Sequence, residues 1–184
     1  MSTTRGASRR RRSTSPSSPV LILTGPPGAG KTTVARLLAE RAERAVHLES
    51  DRFFHFVASG YVEPWKPEAH EQNTVVMRIV GEAAVGYARA GYSTIIDGIL
   101  IPGWFYEQLR DAIQEAGFDV ALAILRPPLA VALERAAGRE GLGDPAVVEQ
   151  LWNNFADLGD LERHVVDNSA QTPEETAAEV GTRF

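Results

Sequence analysis

The sequence contains no cysteine, only two lysines and no apolar run long enough to cross a membrane. Without cysteine, the chain cannot form a disulfide, a zinc site with thiolate ligands or a cysteine nucleophile. A transmembrane helix needs roughly 20 predominantly apolar residues, whereas the longest apolar runs here have the length of a single strand. We therefore expect no membrane partner. The lack of cysteine is typical of a protein from the reducing cytoplasm.

Positive charge is concentrated at the N-terminus. The formal net charge is −5, but five of the 19 basic residues and none of the 24 acidic residues lie within residues 1–18, so the remainder carries a charge of −10. The segment 1–18 is rich in Arg and Ser and has almost no apolar side chains to offset the loss of chain entropy, which predicts a disordered tail. An acidic body disfavours binding to nucleic acid. Binding of phosphate or nucleic acid by the arginine tail stays open as an alternative to a solvated extension.

Residues 19–184 have the pattern of one α/β domain. Short apolar runs predict five strands, at residues 20–24, 45–49, 94–97, 120–125 and 165–167. Helical spacing predicts helices over 31–44, 70–90, 104–116 and 128–139, then a helix that begins at Asp144-Pro145 and a last one that begins at the capping box Thr172-Pro173-Glu174-Glu175. The residues of helix 70–90 expected to face the core are Val76, Ile79, Val80, Ala83 and Tyr87. Strands that alternate with helices form a mostly parallel sheet with helices on both faces.

The segment from Gly25 to Thr32 matches the Walker A pattern GxxxxGK[ST], with a predicted strand before it and a predicted helix after it. Glycines allow backbone N–H groups to surround a phosphate, and the first turn of the helix adds unpaired donors. We expect Lys31 to neutralise the β- and γ-phosphates during catalysis and the Thr32 hydroxyl to bind Mg²⁺. A glycine-rich turn without a ligand is the alternative. The predicted ATP-binding residues are Gly25, Pro26, Pro27, Gly28, Ala29, Gly30, Lys31, Thr32 and Thr33.

Two aspartates follow predicted strands, at the edge where the ligands of a parallel sheet collect. Asp51 is expected to activate or orient the hydroxyl that attacks the γ-phosphate, and its alternative role is that of a helix N-cap. Asp97 ends the third strand before Gly98, as a Walker B acid that contacts Mg²⁺ does. Its alternatives are a substrate contact or an ordinary Asp-Gly turn. We predict Asp51, Arg52 and Asp97 as substrate contacts.

Two arginines lie four residues apart near the end of the predicted helix 128–139. Arg135 and Arg139 can face the same side because one helical turn separates them, and the glycine-flanked residues 139–145 predict a short lid. We expect the two guanidinium groups to act in catalysis on the transferring phosphoryl group, with a solvated helix surface as the alternative. Arg126, at the end of the fourth strand, is a weaker candidate.

Aromatic residues are dense between the second strand and the helix 70–90. They include Phe53, Phe54, Phe56, Tyr61 and Trp65. Aromatic side chains in an irregular segment either line a pocket for a phosphoryl acceptor or pack in the core, and the sequence alone leaves both options open.

These motifs together resemble a known group of enzymes. The order of the phosphate loop, Ser50-Asp51-Arg52, Ile95-Ile96-Asp97-Gly98 and the lid arginines is similar to the chloramphenicol phosphotransferase-like branch of P-loop kinases, whose wider relatives act on gluconate, shikimate, nucleosides and nucleotides. The resemblance implies a three-layer fold with a five-stranded parallel sheet in the order 2-3-1-4-5. It also implies that Asp51 activates the acceptor and that the loop 168–171 passes near the adenine.

We therefore predict an ATP- and Mg²⁺-dependent phosphotransferase that acts on a hydroxyl of a small molecule, either antibiotic-like or a metabolite. One alternative is a nucleoside, nucleotide or polynucleotide-end kinase. Adenylate kinases continue the Asp-Gly of the third strand with an arginine, but this chain continues with Ile99 to Gly103 and has no arginine there. A second alternative is a regulatory ATPase without an acceptor.

Overall fold

The computed structural model describes residues 18–138 and 142–183. The strands in this part of the chain form one sheet in the order β2-β3-β1-β4-β5, and every neighbouring pair runs parallel. The strands are β1 (Val20–Thr24), β2 (Ala45–Glu49), β3 (Ser93–Gly98), β4 (Val120–Leu125) and β5 (Val165–Val166). The predicted fold class and strand order are confirmed.

Helices fill the connections between the strands. They are α1 (Lys31–Glu40), α2 (Ser50–Phe54), α3 (His70–Arg89), α4 (Tyr106–Glu115), α5 (Leu129–Ala136), α6 (Pro145–Asn153) and α7 (Pro173–Arg183), with short 3₁₀ turns at Pro67–Ala69 and Gly159–His164. Within the described ranges, no helix combines the length and the apolar character needed to span a bilayer.

The central strand β1 is buried on both faces, which explains its unbroken apolar sequence. Successive side chains of a strand point to opposite faces of the sheet. Ile22 accordingly packs in the larger core with residues of α3, α4 and α6, whereas Leu23 packs in a second core with residues of α1 and α7. The domain therefore has the three layers that the alternation of strands and helices predicts.

The face that helix α3 turns to the core only partly coincides with the predicted one, and the predicted Ala83 is half-buried against the larger core. Val76 and Val80 are buried as expected, but Ile79 and Tyr87 are 41% and 43% exposed. The buried face instead includes Asn73, Met77, Gly81, Ala84, Val85 and Ala88. Apolar residues occur on both sides of this helix, so periodicity alone did not settle its orientation. Packing against α4 determines the orientation instead. The two helices come so close at Gly81 that a Cβ there would lie 3.1 Å from the Cδ1 atom of Leu109.

Two predicted helix starts are confirmed in atomic detail. At α7, the Thr172 N–H donates to the Glu175 carboxylate (2.8 Å) and the Glu175 N–H donates to the Thr172 hydroxyl (3.2 Å), which is a complete capping box. At α6, the Asp144 carboxylate accepts from the Ala146 N–H at 2.9 Å. The predicted end of α1 at residue 44 is wrong, since the helix ends at Glu40 and leaves four residues for the chain to turn into β2.

Candidate active site

The first three strands end at the same level of the sheet. Asp97 of β3 lies opposite Leu23 of β1 and Glu49 of β2 in the parallel register. The phosphate loop (residues 25–32), the start of α2 and the end of β3 therefore leave the sheet side by side. This edge is the one where doubly wound sheets bind their ligands.

The phosphate loop packs so closely against its neighbours that only glycine fits at two positions. A Cβ at Gly25 would lie 2.1 Å from the Leu125 carbonyl oxygen, and a Cβ at Gly28 would lie 2.1 Å from that of Ala132. The loop leads into α1 through Gly30, the N-cap residue, and no side chain caps the start of this helix. The first N–H groups of α1 and the positive end of its dipole therefore suit an anion such as a phosphate.

The ammonium group of Lys31 is hydrogen-bonded to the backbone of the phosphate loop. Its Nζ donates to the carbonyl oxygens of Gly25 (2.9 Å) and Pro26 (3.0 Å), and the residue is 9% exposed. A buried ammonium group is costly unless polar groups surround it. The two carbonyl oxygens supply such partners and hold the ammonium group across the loop, where a polyphosphate bound to the loop would lie.

Thr32, Asp97 and His47 form a short hydrogen-bonded chain. The Thr32 hydroxyl donates to Asp97 Oδ2 at 2.7 Å, and His47 Nε2 lies 3.0 Å from Asp97 Oδ1. Because a carboxylate only accepts hydrogen bonds, the Nε2 atom donates in this contact. Asp97 is 3% exposed, so the two neighbours determine its orientation.

The hydroxyl of Thr32 and the carboxylate of Asp97 are oxygen ligands of the kind that Mg²⁺ prefers. Magnesium commonly takes one or two protein carboxylates and completes its shell with water and substrate phosphates. Within residues 18–138 and 142–183, no group of three or more His, Asp or Glu side chains gathers into a self-sufficient metal site. Thr32 and Asp97 therefore fit a magnesium ion that takes its other ligands from a bound nucleotide and water.

Asp51 lies in α2, which continues directly from β2, and its side chain is exposed to solvent beside a cavity. The N-cap residue of α2 is Glu49, so the interpretation of Asp51 as the N-cap is wrong. Arg52 pairs with Glu49 at 2.9 Å and does not line the cavity. Helix α2 can lie close to β3 because Gly98 has no side chain. A Cβ at that position would lie 1.8 Å from the Ser50 hydroxyl oxygen.

The cavity beside Asp51 has a volume of about 220 Å³ and mostly apolar walls. Among its aromatic lining residues are Phe54, Tyr61, Trp65, Trp104 and Phe105. The aromatic segment between β2 and α3 therefore lines a cavity and also packs in the core, because Phe54 is part of the larger core as well. Phe56 does neither and is 79% exposed. Burial and the charges of Glu63 and Asp51 raise the pKa of the Tyr61 hydroxyl above its ordinary value of 10.0.

Arg135 links three segments around the phosphate loop. Its guanidinium group donates to the carbonyl oxygens of Asn168 and Ser169, each at 3.2 Å. The Asn168 amide in turn donates to the Ala29 carbonyl oxygen at 3.0 Å. The residues after β5 therefore contact the phosphate loop, and Arg135 lies on that side of the loop. Their predicted passage near the adenine stays a prediction.

Of the other predicted arginines, Arg126 lies within the described residues and has a different role from the predicted one. Arg126 forms a two-pronged ion pair with Glu162 (2.7 and 2.8 Å), which lowers the pKa of that carboxyl, and also donates to the Phe155 carbonyl oxygen. It is therefore a structural residue. Arg139 and residues 1–17 lie outside the described residues. Of the predicted lid, Leu142 lines the cavity and Asp144 caps α6.

The family of the chain follows from a comparison of its sequence with models of protein families. A model described as "AAA domain" matches residues 20–158, which is most of the chain. The chain belongs to this AAA domain family. No curated protein matches the sequence.

Several solved structures with the same fold as this AAA domain are kinases. The tunicamycin resistance protein of Deinococcus radiodurans matches with a TM-score of 0.69 and 21% identity, over 90% of this chain and 95% of that chain. The APS kinase of Mycobacterium tuberculosis in complex with AMPPNP and APS matches with a TM-score of 0.69 and 17% identity, over 91% and 98%. A sugar kinase from Janibacter sp. HTCC2649 matches with a TM-score of 0.63 and 24% identity, over 89% and 92%. These similarities establish the fold of the P-loop small-molecule kinases.

His47 is a residue of the site that sequence reasoning did not find. It lies within β2 rather than after it, and a single histidine in a strand carries no motif. The available signal was its position two residues before Glu49, on the strand next to Asp97.

We expect His47→Ala to raise the magnesium concentration at which ATP turnover by this AAA domain is half-maximal. Loss of the contact to Asp97 frees the carboxylate to rotate, and the loss of such an outer partner typically costs about 10–100-fold in metal affinity or activity. The measurement is a magnesium titration of ATP turnover, with nucleotide binding in EDTA as the reference. His47→Asn, which retains an N–H donor, should recover part of the loss. An unchanged half-saturating magnesium concentration in His47→Ala would contradict this role.

Proposed function

We propose that this AAA domain transfers the γ-phosphoryl group of ATP to a hydroxyl of a small molecule. The observation that carries the proposal is the arrangement around the end of the sheet: a glycine-dependent phosphate loop with a buried lysine, and a separate cavity beside Asp51. A nucleotide switch needs the first of these features only, whereas a phosphotransferase needs both.

The phosphate loop and Lys31 bind and orient the triphosphate. The amides at the start of α1 and the Lys31 ammonium group meet the negative charge of the β- and γ-phosphates, which stabilises the additional charge of the transition state. Thr32 and Asp97 would hold Mg²⁺, which supplies further charge neutralisation when bound. His47 keeps the Asp97 carboxylate in one orientation.

Asp51 acts on the acceptor side. Its carboxylate accepts the proton of the attacking hydroxyl or holds that hydroxyl in line with the γ-phosphate. Arg135 stabilises the nucleotide side through the loop after β5. The catalytic role predicted for Arg139 stays a prediction, because Arg139 lies outside the described residues.

The structural neighbours support a small-molecule acceptor without naming it. They include a gluconokinase from Sinorhizobium meliloti and the shikimate kinase of Acinetobacter baumannii in complex with shikimate, and each is matched over about 90% of both chains. Because the names of these proteins point to different acceptors, the fold by itself does not determine the acceptor of this chain.

A phosphoryl-acceptor screen tests the proposal. The full chain is incubated with ATP labelled at the γ-position, Mg²⁺ and separate sets of antibiotics, sugars, nucleosides and RNA 5′ ends. We expect label to appear in one class of small molecule and ATP turnover to rise with the concentration of that acceptor. ATP hydrolysis at a rate that none of the acceptors changes would contradict the proposal and favour a regulatory ATPase. Label in RNA ends would favour a polynucleotide kinase.

A further inference from the structure

The hydroxyl of Thr24, the last residue of β1, bonds to both backbone groups of one residue far away in the sequence. It donates to the Leu100 carbonyl oxygen at 3.1 Å and accepts from the Leu100 N–H at 2.9 Å. The parallel pairing of β1 with β3 ends at Thr24 and Gly98. Two residues beyond Gly98, a side chain therefore replaces the backbone as the hydrogen-bond partner of the chain. Thr24 and Leu100 are 0% and 1% exposed, so bulk water does not compete for either contact.

Thr24 lies at a rigid point on the nucleotide side of the site. Its backbone is in register with Gly98 on one side and with Ile124 on the other. The next residue, Gly25, opens the phosphate loop, and its carbonyl oxygen accepts from Lys31 Nζ at 2.9 Å. The residue that holds Leu100 is therefore the direct neighbour of a group that orients the lysine.

Leu100 lies in the segment that forms part of the cavity beside Asp51. Its neighbours Ile99 and Ile101 both line this cavity. The N–H groups of Trp104 and Phe105 each donate to the Ile101 carbonyl oxygen at 3.2 Å, and both aromatic side chains line the cavity as well. One hydroxyl thus connects the strand that carries the phosphate loop with one wall of the cavity.

We propose that Thr24 is a positioning residue for phosphoryl transfer, because its hydroxyl holds residues 99–105, the wall just described, in one place relative to the phosphate loop. The inference rests on the proposed phosphotransferase function. Transfer needs the reacting atoms about 3–3.5 Å apart and aligned, yet different segments of the chain bind the two reactants. A misplacement of about 1 Å can cost roughly 100-fold in rate, so Thr24 affects the reaction without touching either reactant.

Three variants test the role of this hydroxyl. Thr24→Val keeps the shape of the side chain, but the Leu100 N–H and carbonyl oxygen lose their partner inside the core. Because unpaired buried polar groups are costly, we expect residues 99–105 to shift. Thr24→Ser retains the hydroxyl and should behave like the unmodified protein. The matched control is Thr94→Val, because Thr94 is a buried threonine of β3 (2% exposed) whose hydroxyl donates to the Tyr92 carbonyl oxygen, two residues away.

The first readout is the fate of the γ-phosphoryl group. The full chain receives γ-labelled ATP, Mg²⁺ and the acceptor set that takes up most label in the phosphoryl-acceptor screen. The bond from the γ-phosphorus to ADP breaks in transfer and in hydrolysis alike. The new bond forms with the acceptor oxygen or with a water oxygen, and the attacking O–H group releases its proton.

We expect Thr24→Val to lower the ratio of labelled acceptor to labelled inorganic phosphate about 10–100-fold, while the KM for ATP stays nearly the same. This ratio does not depend on how much of the protein is folded, so a general loss of stability leaves it unchanged. Thr24→Ser and Thr94→Val should keep the ratio of the unmodified protein. An unchanged ratio in Thr24→Val would overturn the proposal. If Thr24→Val does not fold, Thr24→Cys takes its place, because a thiol is a weak donor and acceptor, and an unchanged ratio there would overturn the proposal equally.

The second readout is the hydrogen exchange of the Leu100 amide, which needs no substrate. We expect this amide to exchange at least about tenfold faster in Thr24→Val than in Thr94→Val, because its hydrogen-bond acceptor is gone. Absence of label in every acceptor set with the unmodified protein would contradict the phosphotransferase. The exchange rate would then decide alone whether Thr24 holds the wall: faster exchange in Thr24→Val supports it and an unchanged rate overturns it.

Discussion

Replacement of Lys31 by alanine is expected to abolish ATP binding and, with it, phosphoryl transfer. The ammonium group lies across the phosphate loop on the carbonyl oxygens of Gly25 and Pro26, and it is the one side-chain cation within the loop. Its loss removes the charge that offsets the β- and γ-phosphates where water is largely excluded. Loss of a single preorganised donor costs roughly 10²–10³-fold in rate, and a full charge should cost at least as much.

The measurement is a titration of a fluorescent ATP analogue, with kcat/KM for ATP as the second readout. Lys66→Ala is a matched control, because Lys66 is the only other lysine of the chain and pairs with Glu63 on the surface. Thermal unfolding shows whether Lys31→Ala is still folded. Retained nucleotide affinity in a folded Lys31→Ala protein would refute the assignment of residues 25–32 as a phosphate-binding loop.

Asp51→Asn is expected to separate nucleotide binding from transfer. The amide is nearly isosteric with the carboxylate but cannot take the proton of an attacking hydroxyl. General-base catalysis typically contributes about 10²–10⁴-fold, so transfer to an acceptor should fall by that factor. ATP affinity should stay the same, because Asp51 lies in α2 beside the cavity and the loop that binds phosphate lies after β1.

Single-turnover transfer and equilibrium ATP binding together check this prediction. The control is Asp160→Asn, which removes the same charge from an exposed position in the 3₁₀ turn Gly159–His164. If Asp51→Asn transfers at the rate of the unmodified protein, then Asp51 is not the acceptor-activating group and the proposed chemistry on that side of the site is wrong.

The motifs that could be predicted are those formed by residues that are close together in the sequence. The Walker A segment needs only a strand before it and a helix after it, and both are local patterns. Asp97 was predictable because it ends a buried strand, and the contact of Thr32 with it at 2.7 Å agrees with the expected magnesium site.

Residues that act through contacts far apart in the sequence were not predictable. His47 matters because β2 and β3 pair with Glu49 opposite Asp97, and Asn73 matters because α3 places its amide against the carbonyl oxygen of Pro64, which lines the cavity. A single asparagine near the start of a helix matches no motif, so only the structure singles out Asn73.

By itself, the sequence determined the alternation of strands and helices and the phosphate loop at the head of α1, because hydrophobic periodicity and backbone sterics act over a few residues. The tertiary structure decided the orientation of α3, the partners of Asp97 and the mostly apolar lining of the cavity beside Asp51. These features depend on which side chains from distant segments fill the same space. Packing is a property of the whole domain, so no local pattern of residues encodes it.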